Sequence, residues 1–173
     1  MEFSFETTYD QKAVTAMVRA LRKTQRKKRS RRSHIFGWIV IALGTLLTVS
    51  DFINHRVDIG TVITLLTILA LLAVFIWEDA INACLARKRT LPGLMQTSAV
   101  FFEESYHTTT EMGNTEWFYW NILSVVELPE YFVFLFSKNH AQVYAKAGMT
   151  GGSPEDFRTF IAAKTGRDVS QVK

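Results

Sequence analysis

Two apolar runs, Ile35 to Ile53 and Ile59 to Trp77, are separated by only five residues, and this pattern constrains the chain more than any other. A helix rises about 1.5 Å per residue, so roughly 20 apolar residues cross a hydrocarbon core of about 30 Å, and both runs come close to that length. A loop as short as Asn54 to Asp58 makes the two helices antiparallel neighbours. The pattern reads as a membrane hairpin. A cleavable signal peptide fits less well, because the first run is too long, lies far from Met1 and lacks a small-residue cleavage site.

Basic residues predict the orientation. Nine Lys or Arg and no acid lie between Arg19 and Arg32, Arg87-Lys88-Arg89 follows the second run, and the loop holds only Arg56. Basic residues near the ends of spans stay on the cytoplasmic side, which places both termini inside. The formal charge of +4 is unevenly spread: +7 over residues 1–34, −1 over 35–77 and −2 over 78–173. The high pI therefore belongs to a juxtamembrane stripe, and a nucleic-acid partner is not expected. Within that stripe Arg22, Lys23, Arg26, Lys27, Lys28, Arg29, Arg31 and Arg32 are the candidate contacts for anionic lipid head groups, each worth about 1 kcal/mol near the surface. The same residues serve equally as a topology signal.

The expected layout is a strand plus amphipathic basic helix over 1–34, spans over 35–53 and 59–77 joined by an external loop over 54–58, a juxtamembrane connection over 78–96, and a soluble domain over 97–173. Phe3 and Phe5 alternate with polar neighbours, as in a short strand. Thr7 to Asp10, or Thr8 to Gln11, has capping-box spacing, and Val14, Met17, Val18 and Leu21 then recur on one helical face that runs on through the basic block into the first span. In the membrane, Gly37, Gly44 and Thr48 face Thr61, Thr64 and Thr67 as small packing residues, and Asp51 reads as a solvated helix-end carboxylate. Cys84 is the single cysteine, which excludes an intrachain disulfide; a small buried or interfacial role is favoured over palmitoylation.

Leu91-Pro92-Gly93 is expected to stop the second helix. Strands follow over Thr97 to Phe102, Tyr106 to Thr110, Glu116 to Tyr119, Ile122 to Leu128, Tyr131 to Ser137 and Ala141 to Lys146, separated by turn-forming residues. Such a meander curls into a barrel or sandwich. A final helix is signalled by Ser153 as cap, Pro154 in the first turn and Gly166 at the stop, with Phe157, Phe160 and Ile161 on its apolar face. The Trp117, Tyr119 and Trp120 cluster is expected in the core, because a small domain needs large rings to bury.

From end to end these segments resemble the YcxB-like family of small bacterial membrane proteins, whose soluble part is similar to a pleckstrin-homology-like (PH-like) domain. The resemblance rests on Phe3-Ser-Phe5, Thr8-Tyr9-Asp10, the basic run and hairpin, Val100-Phe-Phe-Glu-Glu104, Trp120-Asn-Ile122, Val125-Val-Glu127, Tyr131-Phe132, Ser137-Lys138, Ala141 to Lys146 and Pro154-Glu-Asp-Phe157. It implies an α+β membrane protein in the bacterial inner membrane, with a two-helix hairpin followed by a PH-like antiparallel domain closed by a C-terminal helix. It brings no established activity. The family's usual Ile-Ile-Pro-Lys-Arg stretch reads Val143-Tyr144-Ala145-Lys146-Ala147 here.

Catalytic and cofactor patterns are not found in the sequence. The four histidines, His34, His55, His107 and His140, lack the paired spacing of a metal site. No phosphate-binding glycine loop is present, and the serines lack a His/Asp context. The expected function is a non-enzymatic, membrane-anchored interaction or regulatory module, without cofactor, whose domain contacts protein or self-associates. The alternatives are a hairpin subunit of a transport or channel assembly, against which the lack of mid-membrane charge argues, and an anionic-lipid-binding module.

Overall fold

The computed structural model describes residues 2–88 and 95–172, apart from the side chain of Arg29. The helix stop at Leu91-Pro92-Gly93 lies outside the described residues. The chain forms two compact units: residues 26–81, and residues 1–25 together with 82–173.

The second unit is a two-sheet α+β domain. Its first sheet has the order β4-β3-β2-β1-β8, built from β1 (Phe3–Thr8), β2 (Gln96–Phe101), β3 (Ser105–Thr110), β4 (Gly113–Phe118) and β8 (Met149–Thr150). The other sheet has the order β7-β6-β5-β9, from β5 (Ser124–Glu127), β6 (Tyr131–Leu135), β7 (Ala141–Ala145) and β9 (Val169–Gln171). All pairings are antiparallel except that of β9 with β5. The expected single meander is thus split between two sheets. The pairs Lys146–Gly148 and Tyr119–Asn121 form short 3-10 turns beside them.

β1 is the short strand expected from the alternation at Phe3 and Phe5, and it comes from before the hairpin. It pairs with β2 over six residues, from Phe3 opposite Phe101 to Thr8 opposite Gln96, and with β8 on its other side. A strand from before the hairpin is therefore central to a sheet whose other strands follow it. Gly148 and Gly151 sit where a Cβ would overlap the Glu6 and Glu2 carbonyl oxygens, so this close approach of β1 requires glycine there.

The strand registers stack the inward side chains of the first sheet in three rows. Phe3, Phe101, Tyr106 and Trp117 form one; Phe5, Ala99, Thr108 and Thr115 the next; Thr7, Thr97, Thr110 and Gly113 the last. The aromatic end packs on Val125, Phe132, Phe134 and Tyr144 of the second sheet and on Phe157 and Ile161 of α4 (Pro154–Thr165). Phe157 touches the rings of Phe3, Phe5, Phe101 and Phe132 at centroid distances of 4.7–5.3 Å. These are contacts within the range of favourable aromatic pairs.

The second sheet is covered on both faces, which accounts for its nearly unbroken apolar sequence. Val126, Val133, Leu135 and Val143 point away from α4 toward α1 (Gln11–Lys23), which meets them with Ala13, Ala16, Ala20 and Leu21. Val14 is also buried, while Met17 and Val18 are only partly so, and the packed face is rotated toward alanines that let the helix approach closely. Asp10 caps α1, accepting from the Ala13 N–H at 2.7 Å.

The first unit is a helical hairpin of α2 (Lys27–Ile53) and α3 (Ile59–Arg87), the latter extending past the unit's end at Ile81. Both helices are long and apolar enough to cross a membrane, and most of their large apolar side chains are exposed. The connection falls at residues 54–58 as expected, and α3 departs from helical geometry at Trp77. α1 does not run on into α2: it ends at Lys23, where Thr24 turns back its hydroxyl and N–H onto the Ala20 carbonyl.

Candidate functional site

The break at Thr24 to Arg26 divides the basic block between the two units. Arg22 and Lys23 occupy the last turn of α1, where cations favour the negative end of the helix dipole. Arg26 precedes α2, and Lys27, Lys28, Arg31 and Arg32 occupy its first two turns with exposed side chains. Lys27 and Arg31, like Lys28 and Arg32, are four residues apart on one face and repel. Lys27 and Lys28, in the first turn, oppose the dipole by about 0.3–1 kcal/mol each, with no acid in that turn to offset them. Local helix energetics therefore do not select these residues. An anionic environment would.

The hairpin closes at each end with a polar contact. Near its open end, His34 Nε2 lies 2.7 Å from Glu78 Oε2, and the His34 ring stacks on Phe75. At its turn, Asp58 caps α3 by accepting from the Thr61 N–H at 3.0 Å, and the Thr61 hydroxyl donates to Asp51 at 2.8 Å. Asp51 is thus a clasp between the two helices. Between the ends, Gly37 lies against Phe75, and Gly44 against Ile68 and Thr64, as small residues in a close helix contact. Thr64 and Thr67 instead bond back to their own helix, at Gly60 and Ile63. Cys84 is exposed, not buried.

In the sandwich, the deepest charge among the described residues is Glu127, which follows the buried Val125 and Val126 on β5. Its carboxylate receives Arg158 Nε at 2.6 Å and Nη2 at 2.9 Å, and Lys146 Nζ at 2.7 Å. The Arg158 hydrogen bonds, followed by those of Lys146, hold the Glu127 carboxyl below the usual carboxylate range, against the upward pull of burial. Lys146 also lies 4.9 Å above the Phe132 ring. The cluster ties β5, the turn after β7 and α4 together, and its charges satisfy one another. It is an anchor and leaves little capacity for a ligand.

The three aromatics expected in the core separate. Tyr119 is buried and donates from its hydroxyl to the Phe102 carbonyl at 2.6 Å, pinning the β2–β3 turn. Burial raises its phenol above the ordinary range. Trp117 is half-buried, with Nε1 donating to Thr108 at 2.9 Å. Trp120 is 72% exposed, its ring tilted against that of Phe118 at a centroid distance of 4.9 Å. Leu123, three residues on, is also exposed. Large rings left in water at the end of a strand mark a contact surface more readily than scattered apolar residues do.

His107 pairs with Glu116 at 3.4 Å and His140 stacks on Phe136, while His55 lies in the hairpin turn. Among the described residues no three His, Cys, Asp or Glu side chains converge. Such surfaces define a small α+β domain interrupted by two long apolar helices. Within it, residues 101–161 match the family model described as YcxB-like protein, from the last residue of β2 to the middle of α4. Searches of curated proteins and of solved structures gave no match.

Proposed function

We propose that the chain is a membrane-anchored, non-enzymatic interaction module, in which α2 and α3 cross the bilayer and a PH-like domain stands on the cytoplasmic side and contacts protein. The observation that carries this reading is the pairing of β1 with β2. Paired strands lie about 4.8 Å apart, so the segments before and after the hairpin must share one side of any membrane the helices cross. The basic flanks favour the cytoplasmic side. A PH-like identity is supported by the order of elements: a meander of β1 to β4 in one sheet, a meander of β5 to β7 in the other, and a helix packed on the core between them.

Exposed Phe118 and Trp120 are the favoured protein-contacting surface. A photo-crosslinking residue in place of Trp120, with one at Asn114 of β4 as control, tests this in native membranes. A discrete adduct from position 120 and none from 114 is expected; equal background from both counts against the reading. Reporter fusions at Lys173 and within Asn54 to Asp58 test the orientation independently, and an externally active fusion at Lys173 refutes it. Anionic-lipid binding is a second reading, favoured by the four exposed cations at the start of α2.

A further inference from the structure

The inner face of a sandwich sheet is ordinarily apolar, and polar residues there are costly unless they serve a purpose. In the first sheet the rows change from aromatic to threonine along the strands, in two residues on β3 and β4 and in four on β2. Thr97, Thr108 and Thr115, on three neighbouring strands, line a cleft of about 280 Å³. Its other walls are Tyr9, just before α1, Val14 and Met17 of α1, His140 and Ala141 at the start of β7, and Trp117 at the side of the sheet. Segments far apart in sequence thus enclose a space that neither sheet nor helix fills.

We propose that this cleft binds a small uncharged aromatic compound bearing one hydrogen-bonding group, of the size of indole or a phenol. The volume accommodates about nine waters at roughly 30 Å³ each, close to a single or fused ring and near the lower end of ligand pockets. No Lys, Arg, Asp or Glu lines it, and the His140 ring at its edge is stacked on Phe136, so the lining favours an uncharged occupant over an ion that must be desolvated. The walls offer aromatic faces and a thioether, which favours a ring as occupant.

The polar groups in the cleft are few and partly committed. The Thr108 hydroxyl donates toward the Thr115 carbonyl at 3.3 Å and accepts from Trp117 Nε1. Gln142 Oε1 accepts from the hydroxyls of Tyr106 at 2.7 Å and Tyr144 at 2.6 Å. The Thr97 and Thr115 hydroxyls and the Gln142 amide nitrogen make no hydrogen bond among the described residues. They are the groups available to orient one N–H or O–H of a ligand. A larger polar depression beside Thr97 and Thr110 carries Glu6, Asp10 and Glu111, and its acids alone define no ligand.

The test uses the full chain in lipid nanodiscs, with 15N-labelled tryptophan and indole as probe. The chain has four tryptophans, and Trp117→Phe assigns the relevant indole N–H. Indole is expected to shift the Trp117 signal saturably while Trp38, Trp77 and Trp120 stay in place. Thr115→Leu, which fills the cleft from an exposed strand, should weaken binding at least tenfold without lowering the melting temperature. If that variant does not fold, Ala141→Leu fills the opposite wall and serves the same purpose. Parallel shifts of all four signals would report partition into lipid and overturn the proposal. So would the absence of saturation, unchanged affinity in the filled variant, or equal binding of the cationic analogue tryptamine.

Discussion

Glu127 stands in the sequence as one acid in the apolar run Val125-Val126-Glu127-Leu128, and its burial depends on two cations, Lys146 and Arg158. Removing it strands both. Glu127→Ala should cost about 2–3 kcal/mol, below the roughly 3–5 of a fully buried pair because Arg158 and Lys146 retain some solvent. The folded-state pKa of Glu127 lies below its unfolded value, so its contribution is complete above about pH 5 and is lost as the pH falls through the lowered pKa. Thermal unfolding of the full chain in detergent should therefore show a steeper acid-side loss in the wild type than in Glu127→Gln. Parallel pH profiles would show that the pair is not coupled to folding. An acid between Val126 and Leu128 is a visible anomaly in the sequence. Its partners were not, because they lie 19 and 31 residues away and only the tertiary fold brings them together. The inward threonines escaped notice for the same reason: alternation places them on a face, and only the register assembles them into a row.

At the scale of elements, local signals served α4 well. Ser153 forms a reciprocal capping box with Asp156, Pro154 opens the helix, and Gly166 closes it at φ 63°. Phe157→Ala should cost about 3–5 kcal/mol, and Phe160→Ala less, since the latter ring is only partly buried. Equal thermal stability of Phe157→Ala and wild type would mean that the helix is undocked. Gly166→Ala meets no neighbouring atom, so its cost is the left-handed conformation alone, about 1 kcal/mol. By contrast, the end of α1 had no legible sign. Thr24 to Arg26 contain neither glycine nor proline, and the basic pattern continues across them. Within that block, a peptide of residues 22–34 should bind anionic liposomes and release them as salt shortens the Debye length below about 8 Å. Sedimentation at low and high salt checks this. Binding unaffected by salt would remove the electrostatic reading.

For the whole molecule, the apolar runs and their spacing were legible because a bilayer sets a length that sequence displays directly. The share of β1 in the domain was less so, since its partner β2 lies some ninety residues on. Residues 95–173 alone lack the strand between β2 and β8 and the Phe3 and Phe5 rings. That fragment should give a poorly dispersed NMR spectrum, while residues 2–25 joined to 95–173 by a flexible Gly-Ser linker should give a dispersed one. A cooperative melt of the shorter fragment would show β1 to be dispensable. The interruption of the domain also sets an order of events during synthesis. At about 5–20 residues per second, β1 leaves the ribosome roughly five to twenty seconds before its partner β2. Through that interval it is an unpaired, half-apolar strand beside a nascent hairpin. On the proposed reading that the hairpin crosses a membrane, its insertion returns the chain to the side where β1 waits, and a failed insertion leaves the strand without its neighbours. Completion of the soluble domain thereby registers whether the membrane step succeeded, and an exposed β1 is the mark by which cellular quality control could recognise a chain that failed.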